Sequence, residues 1–373
     1  MNELVRDCIN KLDKLNNYSW NEIIDKHNIK LSPHELRKRA YGMKMAIESC
    51  GEDSISNDKL LEIKKQKVQL SDLRTDVNKQ IRSLARTENV IDLLKDEIKN
   101  LSNKKPMINH YEFKTEPSGV DGILMFSDWH YSLKINNSIN YYDEEICEER
   151  LNCIINQAVQ LGVKNKIDKL HIICLGDLVS GEIHNTVRLS NQEGIAKQII
   201  KVSELLCECI KELSNYFYCT VTIVQGNHDS VDAKKTDRLN RNNYTDLIKE
   251  IINIRFKDTN NVLILDNNIN DGEISTLRVK DLAVACCHGD KINKLKAKSE
   301  LEMATNHKLD LILCGHLHNP QMYSIYDTDI YVNGSLCGTD EYAMNNKLYS
   351  IPSQTMLLVN DNGILSSSIL KIL

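Results

Sequence analysis

Apolar positions follow two rhythms along this chain, and the change of rhythm divides it. From about residue 111 onward, short β-branched runs alternate with stretches of helical spacing, and each run stops where charged or imidazole side chains begin. Gly122-Ile-Leu-Met-Phe-Ser127 predicts a buried strand that ends in Asp128-Trp129-His130. Leu170-His-Ile-Ile-Cys-Leu-Gly-Asp177 and Val221-Thr-Ile-Val-Gln-Gly-Asn-His-Asp229 predict two more. Between these two, Ile195, Ile199, Val202, Leu206, Ile210 and Leu213 recur at helical spacing over roughly 192–216. Strand, helix, strand is the parallel crossover unit, which presents functional groups at the carboxyl ends of its strands. Helices are predicted over 143–161 and near 242–257, and short strands near 262–266 and 274–279. Leu282-Ala-Val-Ala-Cys-Cys287 leads into His288-Gly289-Asp290, and Leu309-Asp-Leu-Ile-Leu-Cys314 into Gly315-His316-Leu317-His318. Antiparallel strands over 321–326, 329–333, 354–360 and 364–370 close the chain.

The first 105 residues keep to helical rhythm. Residues 1–50 predict several short helices, with Ser19 and Glu22 spaced as a capping box and Ser32-Pro33-His34-Glu35 as a second helix start. The helix after it carries Arg37-Lys38-Arg39 and Tyr41. Helix, turn, basic helix is the outline of a helix-turn-helix DNA reader, and equally of a small bundle with a solvated basic face. Residues 51–57 read as a linker. Over 58–105, Ile63, Leu70, Val77, Leu84, Ile91 and Ile98 lie seven apart, and Leu73, Leu94 and Leu101 form a partial second row broken by Gln66, Gln80 and Thr87. Such a seam predicts a long basic helix, either a homodimeric coiled coil or a helix laid on its own catalytic domain, ending before Pro106. Three regions are therefore expected: 1–50, 58–105 and 111–373.

Charge sharpens this division. Residues 1–105 hold 21 basic against 17 acidic side chains and the remainder 26 against 35, so a mildly basic arm precedes an acidic body within a net −5. An acidic body acting on a polyanion needs cations or a basic arm to hold it. No apolar run approaches the ~20 residues of a membrane span, and the amino terminus lacks the basic-then-apolar order of a signal peptide, so a cytoplasmic protein is expected. Twelve cysteines, most inside apolar runs and none in a Cys-x-x-Cys pair, read as buried free thiols.

Five strand ends thus supply Asp128, His130, Asp177, Asn227, His228, His288, His316 and His318. One histidine at a strand end is usually a satisfied core residue, whereas five successive strands ending this way predict a shared site. Oxygen and imidazole donors without thiolate suit Mn²⁺, with Fe or Zn²⁺ as alternatives. There are donors enough for two ions, an arrangement that clamps both oxygens of a phosphoryl transfer and creates hydroxide at neutral pH. His184 and Arg188 follow Asp177 closely enough to contact a phosphate, or else belong to a structural loop.

Asp-x-His, Gly-Asp, Gly-Asn-His-Asp, His-Gly-Asp and Gly-His-x-His, in this order, resemble the motif series of the calcineurin-like metallophosphoesterase superfamily over about 120–370. The resemblance implies a β-sandwich flanked by helices (αββα), following the all-α amino-terminal region. It also implies Asp128, His130, Asp177 and His318 around a first metal, and a bridging Asp177 with Asn227, His288 and His316 around a second. His228 would protonate the leaving oxygen, supported by Asp229. Phosphoprotein phosphatases carry Gly-Asp-x-Val-Asp-Arg-Gly and Gly-Asn-His-Glu, where this chain has Gly176-Asp-Leu-Val-Ser-Gly-Glu182 and Gly226-Asn-His-Asp229, which disfavours that branch. The Asp form resembles cyclic-nucleotide phosphodiesterases and SbcD-like nucleases, and the whole layout, with Asn333-Gly-Ser and Gly338-Thr-Asp-Glu-Tyr near its end, is similar to bacteriophage metallophosphoesterases. The expected activity is a dimetal phosphodiesterase cleaving DNA. The alternatives are hydrolysis of a small or cyclic nucleotide, or a DNA-binding scaffold with a vestigial site.

Overall fold

A computed structural model describes residues 2–50, 64–75, 77–78, 92, 95–96, 118–183, 185–231, 243–270 and 272–372. The chain divides into two units, Met1–Arg86 and Thr87–Leu373.

In the first unit α1 (Glu3–Leu12), α2 (Trp20–Lys26) and α3 (Pro33–Cys50) form a small helical bundle. Both helix starts read from the sequence are reciprocal capping boxes. The Ser19 amide donates to Glu22 Oε2 at 2.6 Å and the Glu22 amide to Ser19 Oγ at 3.2 Å, and Ser32 and Glu35 repeat the pattern at 3.0 and 3.3 Å. Each box satisfies two amide donors that a helix start leaves unpaired. Cys8, Ile23, Leu36 and Ala40 form the core, and the buried Asp7 beside it accepts from Lys26 Nζ at 2.8 Å and meets His27 Nε2 at 2.9 Å. The other face of α3 exposes Arg37, Lys38, Arg39 and Tyr41, with the Arg37 guanidinium 5.8 Å over the Tyr41 ring. A fourth helix, α4 (64–75), exposes Leu70 and Leu73 of the heptad rows, as Val77 is exposed beyond it. The expected linker 51–57, the other heptad positions, the helix end at Pro106 and the boundary near 111 lie outside the described residues.

The second unit is a sandwich of two six-stranded sheets. Its elements are β1 (Asp121–Phe126), β2 (Ile135–Asn136), β3 (Tyr141–Tyr142), α5 (Glu144–Lys164), β4 (Lys169–Cys174), α6 (Asn185–Ser190), α7 (Ile195–Ser214), β5 (Tyr218–Ile223) and α8 (Thr245–Phe256). Next come β6 (Val262–Ile264), β7 (Asn268–Ile269), β8 (Ile274–Val279), β9 (Leu282–Cys287), α9 (Ala297–Thr305) and β10 (Leu311–Cys314). The chain closes with β11 (Gln321–Ile325), β12 (Thr328–Val332), α10 (Glu341–Asn346), β13 (Ser353–Asn360) and β14 (Gly363–Lys371). One sheet has the order β14-β13-β1-β4-β5-β6 and the other β11-β12-β10-β9-β8-β7. β1, β4, β5 and β6 run parallel, as do β9, β10 and β12. The expected all-antiparallel ending therefore holds for β11–β12 and β13–β14, while β12 also pairs parallel to β10.

Strand alternation builds the layers. Ile123, Met125, Ile173 and Leu357 turn toward Val284, Cys286, Leu311 and Leu313 of the opposite sheet, forming the inter-sheet core. Leu124, Phe126, Ile172, Val221 and Leu358 turn the other way, onto Ile154 of α5, Val202 and Leu206 of α7 and Ile252 of α8. On the far side Ala285 and Ile312 meet Ala297 and Leu301 of α9. The layers are thus helix, sheet, sheet, helix, and each buried aliphatic contributes about 1.5–3 kcal/mol relative to exposure. Coverage on both faces explains why β1, β4, β5, β9 and β10 read as continuous apolar runs, while the edge strands β11 and β14 stay largely exposed. β1, β4, β9 and β10 then deliver their carboxyl ends to one edge.

Candidate metal centre

Past its last residue, β1 stays zipped to the chain that follows β4. The amides of Asp128, His130 and Tyr131 donate to the carbonyls of Gly176, Asp177 and Leu178 at 3.1, 3.0 and 3.0 Å. Along these loops Asp128, His130, Asp177, His316 and His318 all have φ between 45° and 69°. Left-handed backbone at a non-glycine residue costs about 1–3 kcal/mol and persists only where the surroundings over-determine it. Here the surroundings are backbone pressed on backbone. Gly176 has φ 87°, and a Cβ on it would lie 2.4 Å from the Gly226 amide, while one on Gly226 would lie 2.1 Å from Asp177 Oδ1. Glycine at both positions lets the loops after β4 and β5 touch, so that the His228 amide donates to Asp177 Oδ1 at 2.7 Å.

Two donor groups meet at Asp177. In one, His130 Nε2 lies 3.2 Å from His318 Nε2, with Asp128 Oδ1 3.4 Å from the latter. In the other, His288 Nε2 lies 3.0 Å from Asn227 Oδ1. Oδ2 of Asp177 is 3.9 Å from His130 Nε2 and 3.1 Å from His288 Nε2, which places one carboxylate between the groups. Donor atoms of Asp177, His288 and His316 all lie within 4.8 Å of one another, as do those of His130, Asp177 and His228. Two carbonyls orient rings, because a carbonyl only accepts: that of Leu175 accepts from His288 Nδ1 and that of Ser180 from His228 Nδ1, each at 2.7 Å. His228 also meets the His130 ring edge-on, with centroids 4.5 Å apart.

The donors are buried, and each charge is set by its neighbours. Burial pushes the Asp128 carboxyl up, but the hydrogen bond and charge of His318 outweigh it and hold it at about 2. Asp177 is likewise held far below the usual carboxylate range, against its burial, by His288 and His228. Burial alone would lower His288, yet Asp177 raises it to about 10, and Asp128 raises His318 in the same way. His130 falls to about 3 through burial and the charge of His228. His316 falls through burial and the charge of His288. Two anionic carboxylates among four imidazoles and an amide oxygen form a donor set for hard-to-borderline divalent cations.

A buried polar brace holds the first group. The Asn333 amide group donates to Ser127 Oγ at 3.0 Å, Ser335 Oγ donates to the Asp128 carbonyl at 3.1 Å, and the Ser335 amide donates to the His318 carbonyl at 3.1 Å. Gln354 closes it, accepting from the Ser127 amide at 2.9 Å and donating to the Gly334 carbonyl at 2.8 Å. Asn333-Gly-Ser stands out in the sequence, but nothing there shows which strand end it grips.

A family profile described as calcineurin-like phosphoesterase matches residues 122–320. The chain belongs to that family. The calcineurin-like phosphoesterase fold implies divalent cations, for which this edge provides the donor groups. The chain is also similar to the SPbeta prophage-derived uncharacterized protein YonJ of Bacillus subtilis (strain 168), at 24% identity over 365 residues, which is 91% of this chain and 88% of that one. Among solved structures, an archaeal phosphodiesterase matches at 16% identity and a TM-score of 0.33, over 66% of this chain and 99% of its own. A Vps29 of Entamoeba histolytica complexed with zinc matches at 12% and 0.33, over 67% and 98%.

All seven expected ligand positions of this phosphoesterase come together, as does His228. Asp229, directly after His228, is buried and belongs to neither donor group. Its Oδ2 accepts from the amides of Asp177 at 3.0 Å and Gly226 at 2.7 Å, tying two ligand loops together. Burial and the Asp177 charge raise its pKa to about 6. Arg188 is exposed on α6 and makes no ion pair with a described residue, and His184 lies outside the described residues. Cys337 was missed: its Sγ lies within 4.8 Å of donor nitrogens of His130 and His318. The expectation of free, mostly buried thiols holds for the eleven cysteines whose side chains are described. Among the described residues no helix is long and apolar enough to cross a membrane.

Proposed function

We propose that this metal-dependent phosphoesterase is a dimetal phosphodiesterase that cleaves DNA. The observation that carries the dimetal reading is the position of Asp177 Oδ2 between the His130 and His288 groups. In this reading Asp128, His130, Asp177 and His318 hold one cation, and Asp177, Asn227, His288 and His316 hold the other. Bound there, Mn²⁺, Fe or Zn²⁺ supplies Lewis acidity toward phosphoryl oxygens and a strong nucleophile at neutral pH. The chain's own residues do the rest. His228, whose Nδ1–H donates to the Ser180 carbonyl, would give a proton to the leaving oxygen from Nε2 in its doubly protonated form. Asp229 keeps the Asp177 and Gly226 backbones in register.

DNA as substrate is supported by the exposed Arg37, Lys38 and Arg39 of α3, a cationic row on a capped helical bundle, which would deliver a polyanion to an acidic body. The heptad seam, with Leu70 and Leu73 exposed, supports a homodimer through 58–105. A small-nucleotide substrate is the second reading, favoured by a cavity of about 250 Å³ beside His316, lined by Ile292, Tyr323 and Val332.

Purified protein with Mn²⁺ is to be assayed on linear double-stranded DNA, single-stranded DNA and bis-p-nitrophenyl phosphate. Under the DNA reading, replacing Arg37, Lys38 and Arg39 together by alanine weakens DNA cleavage and flattens its salt dependence while sparing the small diester. Hydrolysis of the small diester alone, with DNA untouched, moves the substrate to a nucleotide.

A further inference from the structure

We infer that Cys337 is a further ligand of this metal centre, its thiolate entering the coordination sphere of the cation held by Asp128, His130 and His318. The inference rests on the metal-centre reading and is independent of the substrate.

The side chain is fully buried, and its Sγ lies within 4.8 Å of donor nitrogens on His130 and His318. Its place is enforced from two sides. On one, the Leu336 amide and Ser335 Oγ both donate to the Asp128 carbonyl at 3.1 Å, and the Ser335 amide donates to the His318 carbonyl at 3.1 Å. On the other, the Arg150 guanidinium donates to the carbonyls of Leu336 and Cys337, at 2.9 Å each, and Asn140 Nδ2 to the Cys337 carbonyl at 2.8 Å. The backbone around Cys337 is thus clamped to the same residues that carry the first donor group. The thiol itself has only weak partners, Ser335 Oγ at 3.1 Å and the Gly338 carbonyl at 3.5 Å. His130, 3% exposed, keeps Nδ1 without a hydrogen-bond partner in the same cluster. Among the described residues, no other cysteine belongs to a group of this kind. Binding displaces the thiol proton to solvent, and the soft sulfur donor shifts the first site toward Zn²⁺ or Fe²⁺ and away from Mn²⁺.

The test loads the full chain with Zn²⁺ and measures metal content and X-ray absorption fine structure. Co²⁺ loading in parallel reads the thiolate-to-metal charge-transfer band. The expected result is two cations per chain and a sulfur neighbour at ~2.3 Å beside nitrogen and oxygen at ~2.0–2.1 Å. Cys337→Ser, checked for an unchanged fold by circular dichroism, loses the sulfur shell and the band. It also weakens Zn²⁺ at one site by about tenfold or more. Two bound cations with only nitrogen and oxygen neighbours in the unaltered protein overturn the assignment and leave the metal centre standing. A sulfur shell that survives Cys337→Ser overturns it too, and points to another of the twelve cysteines. A chain that retains no zinc overturns the metal-centre reading along with it.

Discussion

The same strands carry a buried aspartate–histidine cluster at each end. At the amino ends of β1, β4 and β5, His171 meets Thr220 Oγ1 through Nδ1 at 2.7 Å and Asp121 Oδ2 through Nε2 at 3.4 Å, while Lys280 Nζ lies 3.4 Å from Asp121 Oδ1. At the carboxyl ends stand Asp128, His130, Asp177 and their partners. Both clusters are buried, and both combine carboxylate with imidazole. They differ in how their partners are distributed. In the His171 cluster Asp121, His171 and Thr220 stand on extended strand backbone and only Lys280, in the β8–β9 turn, is left-handed; Asp121 Oδ1 makes no hydrogen bond but faces the Lys280 cation at 3.4 Å. The other places two imidazole nitrogens 3.2 Å apart, shares one carboxylate between two groups and holds five residues in left-handed backbone. A polar cluster that serves only the fold satisfies itself, because an unpaired buried polar group costs about 1–3 kcal/mol. A cluster that converges donors on common points at the cost of backbone strain is arranged for a ligand.

The comparison breaks most decisively at Asp177. Asp177→Ala is expected to lower hydrolysis of bis-p-nitrophenyl phosphate by about 10³-fold or more and to reduce bound metal together with it, measured as turnover and metal content on one preparation. Retention of both cations would remove Asp177 from its shared role. His228→Ala is expected to slow turnover by about 10²–10⁴-fold with metal content unchanged, since a proton donor acts without ligating. Loss of metal there would make His228 a ligand.

Two smaller effects sharpen the contrast. Adding Zn²⁺ or Mn²⁺ at a hundred times its Kd is expected to stabilise the protein by about 2.7 kcal/mol, and a chelator to reverse this, read as a shift in melting temperature. The gain should vanish in Asp177→Ala and persist in Asp121→Asn. Asp121→Asn itself is expected to cost about 1–3 kcal/mol at neutral pH with metal content unchanged. Burial pushes the Asp121 carboxyl up, but His171 and Lys280 outweigh it and hold it below the usual range. Its ionised form therefore stabilises the fold fully above the unfolded value of about 4 and loses that contribution as pH falls through the lower folded value. Denaturant titrations between pH 7 and pH 3 should show a steeper acid limb for the unaltered protein than for Asp121→Asn. Parallel limbs would deny Asp121 that role.

Much of this was legible along the chain, for local reasons. The apolar runs marked β1, β4, β5, β9 and β10 because strands covered on both faces need continuous apolar sequence, and the spacing of Ile195 to Leu213 marked α7 by its buried stripe. Capping boxes at Ser19 and Ser32 use contacts three residues apart, so sequence alone carries them. The proposed ligand positions were legible because each sits at the end of a strand that announces itself. The short β2, β3 and β7, and the helices α6, α9 and α10, were not foreseen. Each spans nine residues or fewer, too few for a period to show, and α9 starts without a side-chain cap.

What tertiary structure alone decided is which side chains share a point. His171 and His130 both stand in or just beyond apolar runs and look alike in sequence, yet one is satisfied by a neighbouring strand and the other faces His318 across 188 positions. The brace of Asn333, Ser335 and Gln354 closes onto Ser127 and Asp128 over more than two hundred positions. Cys337, two residues past Ser335, joins His130 and His318 only because that brace brings its loop there. Local sequence sets the period and ends of elements through short-range contacts. Convergence at a point depends on the order and register of strands in two sheets, and those follow from packing the whole core.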